Sequence, residues 1–127
     1  MKLLLDTHVL IWAVSAPDRL SAKARAAILS EENELFASYV SLWELAFKAQ
    51  AQPDSIPDLA GIEADVEQLG VRKWVEIQPA HIFGIVGLPQ IARDPLDRLR
   101  VVQALSGGFA LVTRDPEIQR YTVSTLW

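Results

Sequence analysis

Two short runs, KLLL at residues 2 to 5 and FALVT at residues 109 to 113, are apolar at nearly every position instead of at every second one. A strand with one wet face alternates apolar and polar residues, whereas an unbroken apolar strand is buried on both faces, as happens in a parallel sheet covered by helices. The stretches between and around these runs supply the helices. Residues 8 to 14 read as a helix broken by Pro17, and Ser21 caps an alanine-rich helix over 22 to 30. A short strand over 35 to 38 precedes a helix starting near Ser41, and Gln52-Pro53-Asp54 makes a turn. A helix is expected over 56 to 69, stopped by Gly70, then a weaker strand over 75 to 78 and a helical stretch over 79 to 88 that contains Gly84 and Gly87. LDRLRVVQALS, after Asp94-Pro95, is the best amphipathic helix and ends at Gly107-Gly108. A short helix over 116 to 120 and a strand over 123 to 126 follow. Strand and helix thus alternate throughout, the pattern of an α/β protein with a mostly parallel central sheet.

With 127 residues, half of them hydrophobic, the chain has material for one core, and 1–127 is read as a single domain. Its apolar start meets an acid at position 6, so it does not continue as a signal peptide, and no apolar run reaches the roughly eighteen residues of a membrane span. A cytoplasmic protein with no membrane partner is expected. Absence of cysteine excludes disulfides, thiolate chemistry and cysteine-type zinc sites, leaving carboxylates and two histidines as metal ligands. The net charge of −4 argues against broad attraction to nucleic acid but leaves room for a local basic rim, for which Arg93, Arg98, Arg100 and Arg114, with Lys48 near Glu44, are placed to hold phosphates beside a metal centre.

The acids carry the chemistry. In an open parallel sheet ligands bind beyond the carboxyl ends of the strands. Asp6 ends the first strand and Asp115 follows the ALVT run after one residue. Glu44 and Asp97 fall in the first turns of expected helices, where the helix dipole favours negative charge. Carboxylates gathered within about 6 to 8 Å repel one another unless protons or cations compensate. Oxygen-only ligands suit Mg2+, with Mn2+ as the alternative. Each acid also has a plainer reading: Asp6 as a strand-end turn residue, Glu44 as a helix-surface acid, Asp97 as a solvated side chain, and Asp115 and Asp94 as helix caps. Thr7 and Thr113 are placed to support acids or a metal-bound water. Ser41 reads as a cap, His8 as packed against the sheet or else facing the site, His81 as structural, and Trp12 and Trp43 as supports behind the site. No serine lies in a nucleophile-elbow pattern.

Together, LLLDTHVLIW, SYVSLWELAFK, RDPLDRLRVVQAL and ALVTRDPEIQRY resemble the PIN-domain family, particularly its VapC type of toxin ribonuclease, over nearly the whole chain. The resemblance implies a three-layer α/β/α sandwich and an acidic site that uses Mg2+ or Mn2+ to hydrolyse RNA. It places the family's acids at Asp6, Glu44, Asp97 and Asp115, adds Asp94 as a less constant acid, and puts Thr7 and Thr113 near the metal. It further implies a cognate antitoxin and a homodimer. Leu96 stands where phenylalanine is common and Ala92 where many relatives have histidine; neither departure touches the acids. The residues alone leave open another phosphoesterase on a similar sheet and a non-enzymatic interaction domain with a degenerate site.

Overall fold

The computed structural model describes residues 1–56 and 58–127. Five strands, β1 (Lys2–Leu5), β2 (Glu34–Ser38), β3 (Val71–Val75), β4 (Ala110–Val112) and β5 (Thr125–Leu126), form one sheet in the order β3-β2-β1-β4-β5. Every pairing is parallel, with Leu4 opposite both Phe36 and Leu111. Among the described residues six α-helices connect or flank them: α1 (Thr7–Ser15), α2 (Ala22–Leu29), α3 (Tyr39–Ala51), α4 (Ile62–Leu69), α5 (Pro79–Gly84) and α6 (Pro95–Gly107).

The apolar runs explain the layering. Successive strand residues point to opposite faces. Leu3, Leu5, Leu35, Ala37 and Val112 join one core with Val9 and Leu10 of α1, Ile28 of α2, Leu45 of α3 and Val66 of α4. Leu4, Phe36 and Leu111 join a second core with Val101 and Ala104 of α6. The result is the expected three-layer α/β/α sandwich, with an all-parallel sheet. No helix among the described residues is long and apolar enough to cross a membrane.

Capping accounts for most helix boundaries. Ser21 accepts the Ala24 N–H at 3.0 Å and starts α2, as its position predicts. Gly70 (φ 107°) and Gly108 (φ 69°) end α4 and α6 in the left-handed region that glycine enters without strain.

Besides small trims, such as β5 starting at Thr125 and a 3-10 turn at Ile118–Arg120 in place of the helix over 116 to 120, three elements differ from expectation. The cap of α3 is Ser38, whose hydroxyl accepts the Val40 N–H, so Ser41 lies inside the helix and Glu44 falls in its second turn, not the first turn expected. The weaker strand over 75 to 78 is β3 at Val71–Val75, where Arg72 and Lys73 are exposed on a sheet edge and hide its strand character. The helix expected over 56 to 69 is present as Ile62–Leu69, and position 57 of that range lies outside the described residues.

Candidate active site

Strand order creates the site. From β1 the chain proceeds outward through β2 and β3, then returns to place β4 on the other side of β1, so the direction reverses between β1 and β4. A crevice opens at such a reversal, beyond the carboxyl ends of the strands. Asp6 leaves β1 there, and its N–H donates to Val112 O at 3.0 Å, locking it to β4. Asp115 leaves β4, α3 carries Glu44, and the start of α6 carries Asp94 and Asp97. All five acids line one cleft of about 460 Å³, together with His8, Trp12, Lys48, Arg100, Arg114 and Pro116.

Each acid is held by its element. Asp6 caps α1: Oδ1 accepts the Thr7 N–H at 2.8 Å, and Oδ2 accepts the Thr113 hydroxyl at 2.7 Å. Thr113 Oγ1 also accepts the Asp115 N–H at 3.1 Å, so one buried hydroxyl ties together the acids that follow β1 and β4. Asp115 Oδ1 accepts the Glu117 N–H at 2.8 Å, so the capping reading of this acid holds alongside its place in the cleft. Asp94 caps α6 by accepting the Leu96 N–H at 2.9 Å.

Beneath the acids lies Arg100, 1% exposed. Its Nη1 donates to Thr7 Oγ1 at 3.0 Å and, with Nη2, to Glu44 Oε1 at 3.3 Å; Nη2 also donates to Asp97 Oδ1. Nε sits 3.1 Å from Asp6 Oδ1 but is not aligned to hydrogen-bond it. Thr7 in turn donates to Ser41 Oγ at 3.0 Å, tying the floor of the site to α3. A side chain expected on an RNA-facing rim is thus enclosed among the carboxylates, because three acids converge on the one buried position from which a guanidinium can reach them all.

Burial disfavours the charge on Arg100, but Asp6, Glu44 and Asp97 outweigh it and hold the guanidinium above its ordinary range. Burial pushes Asp97 up from 3.8 to about 6; Arg100 opposes the shift, while Asp6, Asp94 and Glu44 add to it. His8 is held below its usual 6.5 by burial and then by Lys48, whose ammonium donates to Nε2 at 3.1 Å.

His8 therefore stands on the cleft wall, not packed against the sheet. Trp12 is largely buried and lines the cleft, with the guanidinium of Arg114 5.3 Å from its ring, whereas Trp43 is half exposed and pairs with Phe47 on the surface of α3. Of the arginines expected on the rim, Arg114 lines the cleft; Arg93 and Arg98 are not among its lining residues, and Arg98 turns back to donate to Arg93 O at 3.3 Å.

The donors suit a hard divalent cation. Glu44, Asp94 and Asp97 each present a carboxylate oxygen, and these oxygens lie within 4.8 Å of one another. An all-oxygen set of this kind matches Mg2+ or Mn2+ and offers nothing to a softer metal. Asp94, an accessory acid on sequence grounds, belongs to this converging trio; Asp6 joins it through Arg100, and Asp115 through Thr113 and Asp6.

Comparison with known proteins agrees with the geometry. The family model of the PIN domain matches residues 3–123. Ribonuclease VapC22 of Mycobacterium tuberculosis is 34% identical over 121 residues, which cover 93% of this chain and 90% of that protein. A chain of the crystal structure of VapBC2 from Rickettsia felis bound to a DNA fragment from their promoter shares the fold at a TM-score of 0.71, with 15% identity and coverage of 98% of this chain and 97% of that one. A chain of the DNA-bound VapBC from Salmonella typhimurium does so at 0.69, with 20% identity and coverage of 98% and 96%. With its strand order, its two cores and its acids at the sheet's reversal point, the chain belongs to the PIN-domain family, in its VapC type.

Proposed function

We propose that this chain, acting over 1–127 as one nuclease domain, is a Mg2+-dependent endoribonuclease, with Mn2+ as the alternative ion, and the toxin of a toxin–antitoxin pair in the cytoplasm. The observation that carries the reading is the convergence of Glu44, Asp94 and Asp97 beside Asp6 and Asp115 in a single cleft. The name of the VapC22 relative supports RNA as substrate, and the VapBC structures support an antitoxin partner.

Glu44, Asp94 and Asp97 would hold the ion, with Asp6 and Asp115 completing the negative field around it. When bound, the ion supplies Lewis-acid polarisation of a phosphodiester and an acidified water. Asp97 must be ionised to ligate, and with a carboxyl pushed up to about 6 it is largely so at neutral pH. Thr113 and Thr7 fix Asp6 by hydrogen bonds, so the carboxylate need not reorganise when substrate arrives. Lys48 and Arg114 stand on the cleft wall where phosphates would lie. Attack by water on phosphorus, with the P–O3′ bond breaking and the departing 3′-oxygen taking up a proton, would leave a 5′-phosphate and a 3′-hydroxyl and make no use of the ribose 2′-hydroxyl.

Protein partners need apolar surface. Phe83 (74% exposed) and Val86 (89%) on and just after α5 offer it to a second copy, and Trp43 and Phe47 on α3 offer it to an antitoxin segment. A basic antitoxin side chain entering the cleft would oppose metal and substrate alike.

The test is cleavage of a panel of structured RNAs by antitoxin-free protein in Mg2+ or Mn2+ against EDTA, beside Asp6→Asn and Asp97→Asn. Metal-dependent cuts lost in both variants support the reading. Absence of cutting together with absence of divalent-ion binding overturns it in favour of an interaction domain.

A further inference from the structure

Arg100 is a cation built into the acidic site, and it deepens the metal-dependent reading above, on which the following inference rests. We propose that its guanidinium takes the place of a second divalent ion, so that the site of this chain holds one ion and not two.

The geometry gives Arg100 a bridging role. It lies one helical turn beyond Asp97 on α6 and contacts Asp6 from the end of β1 and Glu44 from α3. Bridging carboxylates contributed by separate elements is the task of a shared cation, and here a side chain performs it. The arginine also separates floor from mouth. It uses Glu44 Oε1 and Asp97 Oδ1 from below, while exposed Asp94 marks the solvent side of the converging trio. A divalent ion on the trio therefore fits with Arg100 in place. A further ion between Asp6, Glu44 and Asp97 would meet a fixed like charge and an already occupied position.

Arginine cannot leave this position by losing its proton. Nor does the structure offer it an alternative anion: its five donors are directed at Thr7, Asp6, Glu44 and Asp97, and Nε alone lacks a well-aligned acceptor. Lone removal of the guanidinium would leave three carboxylates facing one another with only Lys48, 3.8 Å from Glu44 Oε2, to offset them. A pocket so altered should attract divalent ions more strongly.

The experiment is Mn2+ binding to the metal-stripped protein by isothermal titration and electron paramagnetic resonance, with no RNA present. The unmodified chain is expected to bind one Mn2+ at a site lost in Asp97→Asn. Arg100→Met is expected to bind two, with a spin-coupled pair signal, or to tighten the first by about tenfold or more. Arg100→Lys, which keeps the charge, is expected to stay at one with affinity within about threefold. Two comparable Mn2+ sites in the unmodified chain or in Arg100→Lys overturn the proposal, and so does Arg100→Met with unchanged stoichiometry and affinity. Should Arg100→Met not fold, the other two proteins still decide. A chain that binds no Mn2+ at all overturns the metal-dependent reading itself, an outcome distinct from one ion bound with indifference to Arg100.

Discussion

Thr113 has no acidic or basic group of its own, yet it donates to Asp6 and accepts from the backbone of Asp115, both within the cleft. Thr113→Val keeps the shape and removes the hydroxyl, leaving a buried carboxylate oxygen short of a donor. A charge-assisted hydrogen bond of this kind is worth about 2 kcal/mol, so a lower Tm is expected in thermal unfolding, with cleavage reduced about tenfold as Asp6 loses its orientation. Asp97 makes a prediction of the opposite sense. Its carboxyl is held at about 6 against an ordinary 3.8, so its contribution to stability is fully present below pH 3.8 and is lost as the pH rises through 6. In metal-free buffer the Tm of Asp97→Asn minus that of the unmodified chain should therefore rise between pH 4.5 and 7.5, by roughly 5 °C; a difference flat with pH would refute the shift. Asp6, Asp94, Asp97 and Asp115 were legible in the sequence because strand ends and helix starts are local features, whereas Glu44, expected in a first turn, stands in the second turn of α3. Arg100 was not, since among Leu99, Val101 and Val102 its only local cue is a three-residue spacing from Asp97, and its acidic partners Asp6 and Glu44 come from distant segments.

At the scale of the element, α6 begins on a residue with two duties. Asp94 caps the helix through the Leu96 N–H, with Pro95 at the first helical position, and also presents an oxygen to the converging trio. Serine can perform only the first duty. Asp94→Ser should keep the Tm within about 2 °C while weakening Mn2+ binding about tenfold, whereas Asp94→Ala should lose the cap as well, at about 1 kcal/mol. Equal Mn2+ affinity in Asp94→Ser and the unmodified chain would assign Asp94 to capping alone. Helix ends marked by glycine and the strands at the centre of the sheet were readable because turn chemistry and double-sided burial act locally. β3 was misplaced for a physical reason: an edge strand is buried on fewer sides, and Arg72 and Lys73 can point to solvent without penalty. The start of α3 is hidden because two serine hydroxyls, at 38 and 41, compete as caps in sequence, and only the hydrogen bond to Val40 N–H distinguishes Ser38.

For the whole molecule, the decisive fact is one that local pattern does not contain: β1 and β4, more than a hundred residues apart, are neighbours, with Leu5 opposite Val112. That adjacency brings Asp6 to Asp115, and it follows from topology. It also sets the field a substrate meets. A chain of net charge −4 presents a cleft in which five carboxylates outnumber Lys48, Arg100 and Arg114, with Arg100 enclosed at the floor. A polyanion approaching this cleft without a divalent ion is opposed by both the local and the overall charge. Binding of an oligoribonucleotide should consequently be weak in EDTA and strengthen about tenfold or more in Ca2+, an oxygen-seeking ion that can neutralise the acids. Fluorescence anisotropy with Asp97→Asn alongside gives the decision. If the unmodified chain gains affinity and the variant does not, the acids act on RNA through a bound cation; equal binding in EDTA and Ca2+ would place the RNA contact on the basic surface away from the acids.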